Sequence, residues 1–184
     1  MTFEQRAKEL VAQMTLAEKC SQLRHDAPAI ERLGIPAYNW WNEGLHGVAR
    51  SGVATVFPQS IAMAASFDDT LMERVGCAVS DEARAKYNEY RKFGDTGYYM
   101  GLTYWSPNIN IFRDPRWGRG HETYGEDPYL TGRMGAAYVR GLQGDPAYTY
   151  RKLDATLKHY AVHSGPEASR HGFNATVNQK DLWE

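Results

Sequence analysis

The sequence predicts an α/β domain built on a parallel sheet, on three observations. Strand candidates near residues 36, 102 and 155 alternate with helical stretches. Those stretches repeat apolar side chains at three- and four-residue intervals, the period of a half-buried helix. Most polar clusters fall just after the strand candidates, where parallel α/β folds gather their ligands. The pattern does not choose between a doubly wound sheet and a barrel.

In chain order, Phe3, Ala7, Leu10, Val11 and Met14 share one helical face, and Thr2 with Gln5 forms a capping box at its start. Thr15 with Glu18 forms a second box, opening a helix through Leu23. The run from Glu31 ends a helix at Gly34, and Pro36-Ala-Tyr-Asn-Trp-Trp reads as a strand. Residues 54–65 are apolar without a clear period. Ser66 or Asp68 caps the next helix, in which Leu71, Val75, Val79 and Ala83 repeat at i+4 and which extends to about Tyr87. Gly101-Leu-Thr-Tyr-Trp-Ser reads as a strand, with Ile109-Asn-Ile-Phe following Pro107. Asp127-Pro128 is a strong helix start, an acidic cap followed by proline at the first helical position. Leu130, Met134, Ala137, Tyr138 and Leu142 form that helix's apolar face, Gly144 ends it, and residues 155–162 are the last strand candidate.

Composition narrows the class. With 184 residues, 42% hydrophobic and 23% charged, the chain suits one ordinary globular domain. A net charge of -1 with interleaved signs leaves no basic stripe for nucleic acid. No apolar run reaches membrane-spanning length. The start at Met1 lacks the apolar core of a secretory signal, so the chain as given reads as cytoplasmic unless a leader has been trimmed. Cys20 and Cys77 lie far apart in helical segments and read as buried free thiols. The 12 Tyr and 5 Trp suit a carbohydrate site, whose ligands stack C–H faces on rings, and equally suit a large core.

Three clusters carry chemistry. Trp40-Trp-Asn-Glu-Gly-Leu-His-Gly47 sets Glu43 and His46 beside two indoles and two glycines. Glu43 there can grip hydroxyls through charge-assisted hydrogen bonds, or the glycines can mark a tight loop in which His46 satisfies backbone groups. Residues 113–127 hold three arginines, four carboxylates, a histidine and three glycines. Most of those charges read as a self-locking ion-paired loop; Arg119, between Gly118 and Gly120, has the backbone freedom to approach a ligand. Lys158-His159 interrupts an apolar strand end, where a buried lysine needs an explanation, and facing a site is the simplest one. His163, Glu167, Arg170 and His171 follow at a spacing poor for a metal. There is no G-x-S-x-G, no H-E-x-x-H and no nucleotide-binding glycine motif. Residue chemistry therefore reaches a polar hydrogen-bonding site on an α/β scaffold and does not name the reaction.

In order and spacing, these clusters resemble glycoside hydrolase family 3. The resemblance covers nearly the whole chain. It includes Met14-Thr-Leu-Ala-Glu-Lys, Asn42-Glu-Gly-Leu-His-Gly, Phe57-Pro-Gln, Ala64-Ala-Ser-Phe-Asp, Ser106-Pro-Asn-Ile-Asn-Ile-Phe-Arg-Asp-Pro-Arg-Trp-Gly-Arg, Glu122-Thr-Tyr-Gly-Glu-Asp-Pro, Gly141-Leu-Gln-Gly and Lys158-His-Tyr. It implies residues 1–184 as the N-terminal portion of a TIM-like (β/α)8 barrel. It also implies a retaining, exo-acting β-glycosidase that releases glucose or xylose from non-reducing ends and needs no cofactor or metal. The family's sugar-binding positions map here onto Glu43, Arg119, Lys158 and His159. The first of these is Asp in many members, and the Glu form looks like the β-glucosidase and β-xylosidase branch. The Lys158-His-Tyr-Ala-Val-His-Ser-Gly-Pro-Glu run lacks the Lys-His-Phe-Pro-Gly loop of the hexosaminidase branch.

Retaining hydrolysis needs a nucleophile and an acid/base about 5–5.5 Å apart. The resemblance implies both beyond Glu184, Glu122 and Glu126 matching scaffold positions instead. The chain is thus expected to be a fragment, inactive alone. Two rival readings are a sugar-binding module that does not cut (or a decayed gene), and an unrelated enzyme using Glu43 and Glu126.

Overall fold

The computed structural model describes residues 1–183; Glu184 lies outside the described residues. Helix α1 (Phe3–Gln13) and helix α2 (Leu16–Ser21) both begin with the anticipated capping boxes, on Thr2 with Gln5 and Thr15 with Glu18. Strand β1 (Asp26–Ala27) pairs antiparallel with β2 (Tyr38–Asn39), across a short 3-10 turn (Glu31–Leu33) closed by Gly34 at φ 66°. Helix α3 (Ser60–Ala64) lies in the apolar run that has no clear period. Helix α4 (Asp69–Lys92) leads to β3 (Thr103–Tyr104), and helix α5 (Pro128–Gln143) leads to β4 (Asp154–Ala155). A last helix, α6, spans Gln179–Trp183.

The named strands are short, but the parallel ladder continues past them. Thr103 and Tyr104 pair with Asp154 and Ala155, and single parallel bridges join Asn42 to Tyr104 and Asn108 to Lys158. Three segments, 38–42, 103–108 and 154–158, therefore lie side by side in sequence order. Helix α4 connects the first to the second and α5 the second to the third. The two helices pack on each other, so both cover the same face of the ladder. A doubly wound sheet would place successive helices on opposite faces once its strand order reverses. Three sequential strands under one helical layer fit the arc of a barrel, and equally one half of a doubly wound sheet short of its reversal.

The core lies between the ladder and its helices. Met72, Val75, Val79 and Ala83 of α4 meet Met134, Ala137, Tyr138 and Leu142 of α5, with Tyr104 beneath them. Contact is close because both helices present glycine at the crossing. A Cβ on Gly141 would stand 2.2 Å from the Glu73 carbonyl oxygen, and one on Gly76 would stand 2.6 Å from that of Tyr138. Ser80 reinforces the crossing by donating its hydroxyl to the Gly141 carbonyl at 3.0 Å.

Several expectations need correction. The inner face of α4 uses Met72 and Gly76 in place of Leu71, which is 42% exposed, and the helix continues past Tyr87 to Lys92. Glu89 and Lys92 pair along that extension, and Gly94 at φ 70° follows it. The strand expected over 155–162 leaves the ladder after Lys158, because the His159 N–H turns to a side chain, Oδ1 of Asn110, at 2.9 Å. The apolar stripe of α1 is real but none of that helix is buried, and Phe3 stays 59% exposed. Cys20 is exposed, not buried, because it rides on the equally uncovered α2; Cys77 is half-buried, and neither forms a disulfide. No helix among the described residues is long and apolar enough to cross a membrane.

Candidate functional site

Glu43 follows the first ladder segment, and its two neighbours are both tied to the second. The fully buried Asn42 accepts the Gly101 N–H at 2.7 Å and donates its amide to the Thr103 carbonyl at 2.9 Å. Gly44 donates its N–H to Ser106 Oγ at 3.1 Å, and a Cβ there would sit 2.7 Å from the Tyr104 ring. Pinned on both sides, Glu43 is half-buried and accepts a hydrogen bond from the Trp41 indole at 3.2 Å. The Trp41 ring lies 4.6 Å from that of Trp105.

Lys158 and His159 close the third segment. The Lys158 N–H donates to the Pro107 carbonyl at 3.1 Å, and its own carbonyl accepts from Ile109 at 2.8 Å, so the end of one strand anchors the other. Among the described residues the Lys158 ammonium has no hydrogen-bond partner, leaving all three donors unspent. Burial lowers its pKa, Glu43 opposes that shift, Arg119 adds to it and Glu122 opposes it.

Arg119 arrives from the loop after the second segment. Its guanidinium makes a two-pronged pair with Glu122, 2.9 Å from Nε to Oε1 and 2.6 Å from Nη2 to Oε2, across the 3-10 turn Gly120–Glu122. Its remaining nitrogen, Nη1, lies 3.3 Å from His159 Nε2. Hydrogen bonding to Glu122 raises the Arg119 pKa further. Burial pushes Glu122 up, but Arg119, then Lys158, outweigh it and hold the carboxyl below its usual range. Burial, then the positive charge of Arg119, Lys158 and His163, depress His159 to about 4, so the ring is neutral at pH 7.

The structure thus brings Glu43, Arg119, Lys158 and His159 to one end of the ladder. Their charges, with Glu122, nearly cancel: two carboxylates, two cations and a neutral imidazole. Such a set offers donors and acceptors together and carries no large field for a phosphate, which suits a polyhydroxylated neutral ligand.

The chain matches the glycosyl hydrolase family 3 N-terminal domain over residues 5–183. The chain belongs to glycosyl hydrolase family 3. A xylan 1,4-β-xylosidase of Xylanibacter ruminicola is 51% identical over 100% of this chain and 22% of its own length. β-D-xylosidase 1 of Arabidopsis thaliana is 47% identical, over 96% of this chain and 24% of its own length. Among solved structures, a family 3 exo-β-xylosidase bound to a xylobiose aziridine probe superposes with a TM-score of 0.78 at 36% identity, covering 93% of this chain and 22% of the other. DesR, a β-glucosidase of Streptomyces venezuelae with bound D-glucose, gives 0.74 at 33% identity, covering 97% and 22%. The chain therefore spans about a quarter of the length of these family 3 relatives, and the arc of strands is the first part of their TIM-like barrel.

Family 3 membership leaves the local geometry to be read residue by residue, and sequence reasoning missed part of it. Glu122 holds Arg119; the signal was its i+3 spacing, which a single turn brings into contact. Asn110 holds His159, across 49 positions that no local pattern links. The His163 ring lies 4.6 Å from that of His159, tilted by 55°, and stands edge-on to Trp117. The glycines beside Arg119 serve space, not backbone freedom: a Cβ on Gly120 would stand 2.2 Å from the Phe112 ring, and one on Gly118 2.8 Å from the Glu167 carboxylate. His46 satisfies a backbone group, its Nδ1 2.8 Å from the Phe57 carbonyl. Glu126 is exposed and lines a separate cavity with Arg113 and Asp181. A cavity of about 550 Å³ lined by residues of α5 includes His159 but none of Glu43, Arg119 or Lys158. Among the described residues no group of three or more His, Cys, Asp or Glu is placed to hold a metal ion.

Proposed function

We propose that this chain supplies the first units of the barrel of an exo-acting retaining β-glycosidase. In this reading Glu43, Arg119, Lys158 and His159 grip the hydroxyls of the non-reducing terminal sugar. The observation that carries it is the convergence of these four residues from three separate strand ends, with a lysine whose donors are unspent. Contacts to ring hydroxyls strengthen as the ring flattens toward an oxocarbenium-like transition state, so the cluster contributes to turnover as well as to binding. The nucleophile and acid/base come from outside these residues: Glu122 is committed to Arg119 and Glu43 to Trp41. Xylose is the favoured glycone, because the relatives at 46 to 51% identity are named β-xylosidases.

The test is hydrolysis of nitrophenyl β-D-xyloside and β-D-glucoside by the whole protein that contains this chain. The xyloside is expected to be cleaved faster, and Lys158→Ala to lower kcat/KM by about 10²–10³ while the fold is kept. The 184-residue chain alone is expected to cleave neither substrate. A whole protein that binds xylose yet cleaves no glycoside would replace this reading with that of a sugar-binding module.

A further inference from the structure

Asn110 is 5% exposed and belongs to none of the four sugar-facing positions, yet two of the His159 nitrogens bond to it. Its Oδ1 lies 2.9 Å from the backbone nitrogen of His159 and 2.7 Å from the ring Nδ1. The backbone N–H can only donate, so the atom of Asn110 that meets it is the carbonyl oxygen and not the amide nitrogen. The same oxygen faces Nδ1, which must therefore carry a hydrogen. On the far side of the ring, Arg119 Nη1 lies 3.3 Å from Nε2 and can also only donate. The ring then has one consistent form, neutral, with Nδ1–H bonded to Asn110 and a lone pair on Nε2. An imidazolium would turn an N–H against the guanidinium.

We propose that Asn110 is a positioning residue that locks His159 as the neutral Nδ1–H tautomer, so that Nε2 faces the site as an acceptor beside the donors of Arg119 and Lys158. This rests on the reading of the cluster as a sugar subsite. A sugar hydroxyl that displaces Arg119 Nη1 from this lone pair can donate to His159 Nε2 while accepting from the freed guanidinium or from Lys158. With the other tautomer, Nε2–H, Arg119 and Lys158 would all donate toward the same place, and the ring would offer the hydroxyl hydrogen no acceptor. Every charged or titratable group around the ring acts in the same sense or is neutralised. Arg119 and Lys158 are cationic, His163 adds a third base, and Glu122, the one nearby acid acting on the ring, is held by Arg119.

The experiment is the pH profile of kcat/KM for nitrophenyl β-D-xyloside with the whole wild-type protein and its Asn110→Asp variant. The aspartate keeps the shape and the acceptor but adds a negative charge in contact with the ring, which favours imidazolium by about 1–3 pH units. The acidic limb is expected to move up by at least about one unit, with the neutral-pH plateau lowered less than the acidic side. A residue needed only for packing would scale the whole profile and leave the limb in place, and that outcome overturns the proposal. If the variant does not fold, nitrogen NMR of the wild-type protein labelled on histidine decides it, His159 being assigned by the signal lost in His159→Gln. A pyrrole-type Nδ1 with a pyridine-type Nε2 is expected; the reverse overturns the proposal. Wild-type protein with no glycosidase activity would sink the proposed function instead, while the NMR result would still report the tautomer.

Discussion

Replacing Glu122 by Gln isolates what holds Arg119 in place. The wild-type pair has two charge-assisted hydrogen bonds of 2.9 and 2.6 Å, and its side chains are only 23% and 18% exposed. Hydrogen bonds to charged groups contribute about 1.5–3 kcal/mol each. Gln retains one acceptor and turns an amide N–H₂ toward the guanidinium, so roughly one such bond is lost and the cation is left partly unpaired. The expected destabilisation is about 2–3 kcal/mol. Freed from its partner, the guanidinium samples other rotamers, and misplacing a substrate contact by about 1 Å lowers rate by as much as 10²-fold. Glu122→Gln in the whole protein should therefore lower kcat/KM about 10–10²-fold, with thermal unfolding shifted down at neutral pH. The pH dependence follows from the carboxyl's depressed pKa. A group held below its ordinary value of 4.5 contributes fully above that value and loses its contribution as pH falls through the depressed one. The stability difference between wild type and variant should thus be constant near neutrality and shrink in acid. A variant within twofold of wild type in kcat/KM, or a stability difference indifferent to pH, would refute the reasoning.

Two further predictions concern the scaffold. Gly141→Ala places a methyl 2.2 Å from the Glu73 carbonyl and 2.7 Å from the Cys77 nitrogen, both backbone atoms that cannot rotate aside, so α4 and α5 must part. The expected cost is about 2–3 kcal/mol, read as a lower midpoint in thermal unfolding; an unchanged midpoint would show the crossing to be looser than described. Asp127→Ala removes the N-cap of α5, whose Oδ1 accepts from the Leu130 N–H at 2.6 Å, and should cost about 1 kcal/mol. Asp127→Asn should recover most of that loss, and equal destabilisation by both variants would point away from capping.

What the sequence determined by itself is local or periodic. Both capping boxes, the Asp127-Pro128 helix start, the Gly34 turn and the apolar face of α5 were legible because each depends on side chains a few residues apart. The four candidate ligand residues were legible too, as charge placed where strands end and, more sharply, as matches to a family pattern. The barrel-like winding was not legible in periodicity, since alternating strands and helices serve both a doubly wound sheet and a barrel. Likeness to solved family 3 structures decided it, while the packing of α4 on α5 through glycines at 76 and 141, which the sequence shows only as weak points in two helices, fits either winding. Tertiary structure alone decided the state of the site. Burial and three neighbouring bases keep His159 neutral, Asn110 chooses its tautomer and Glu122 aims Arg119. Charge interactions, desolvation and hydrogen bonds act over ångströms in space, and the residues that act on His159 lie as far as 40 positions away for Arg119 and 49 for Asn110 along the chain.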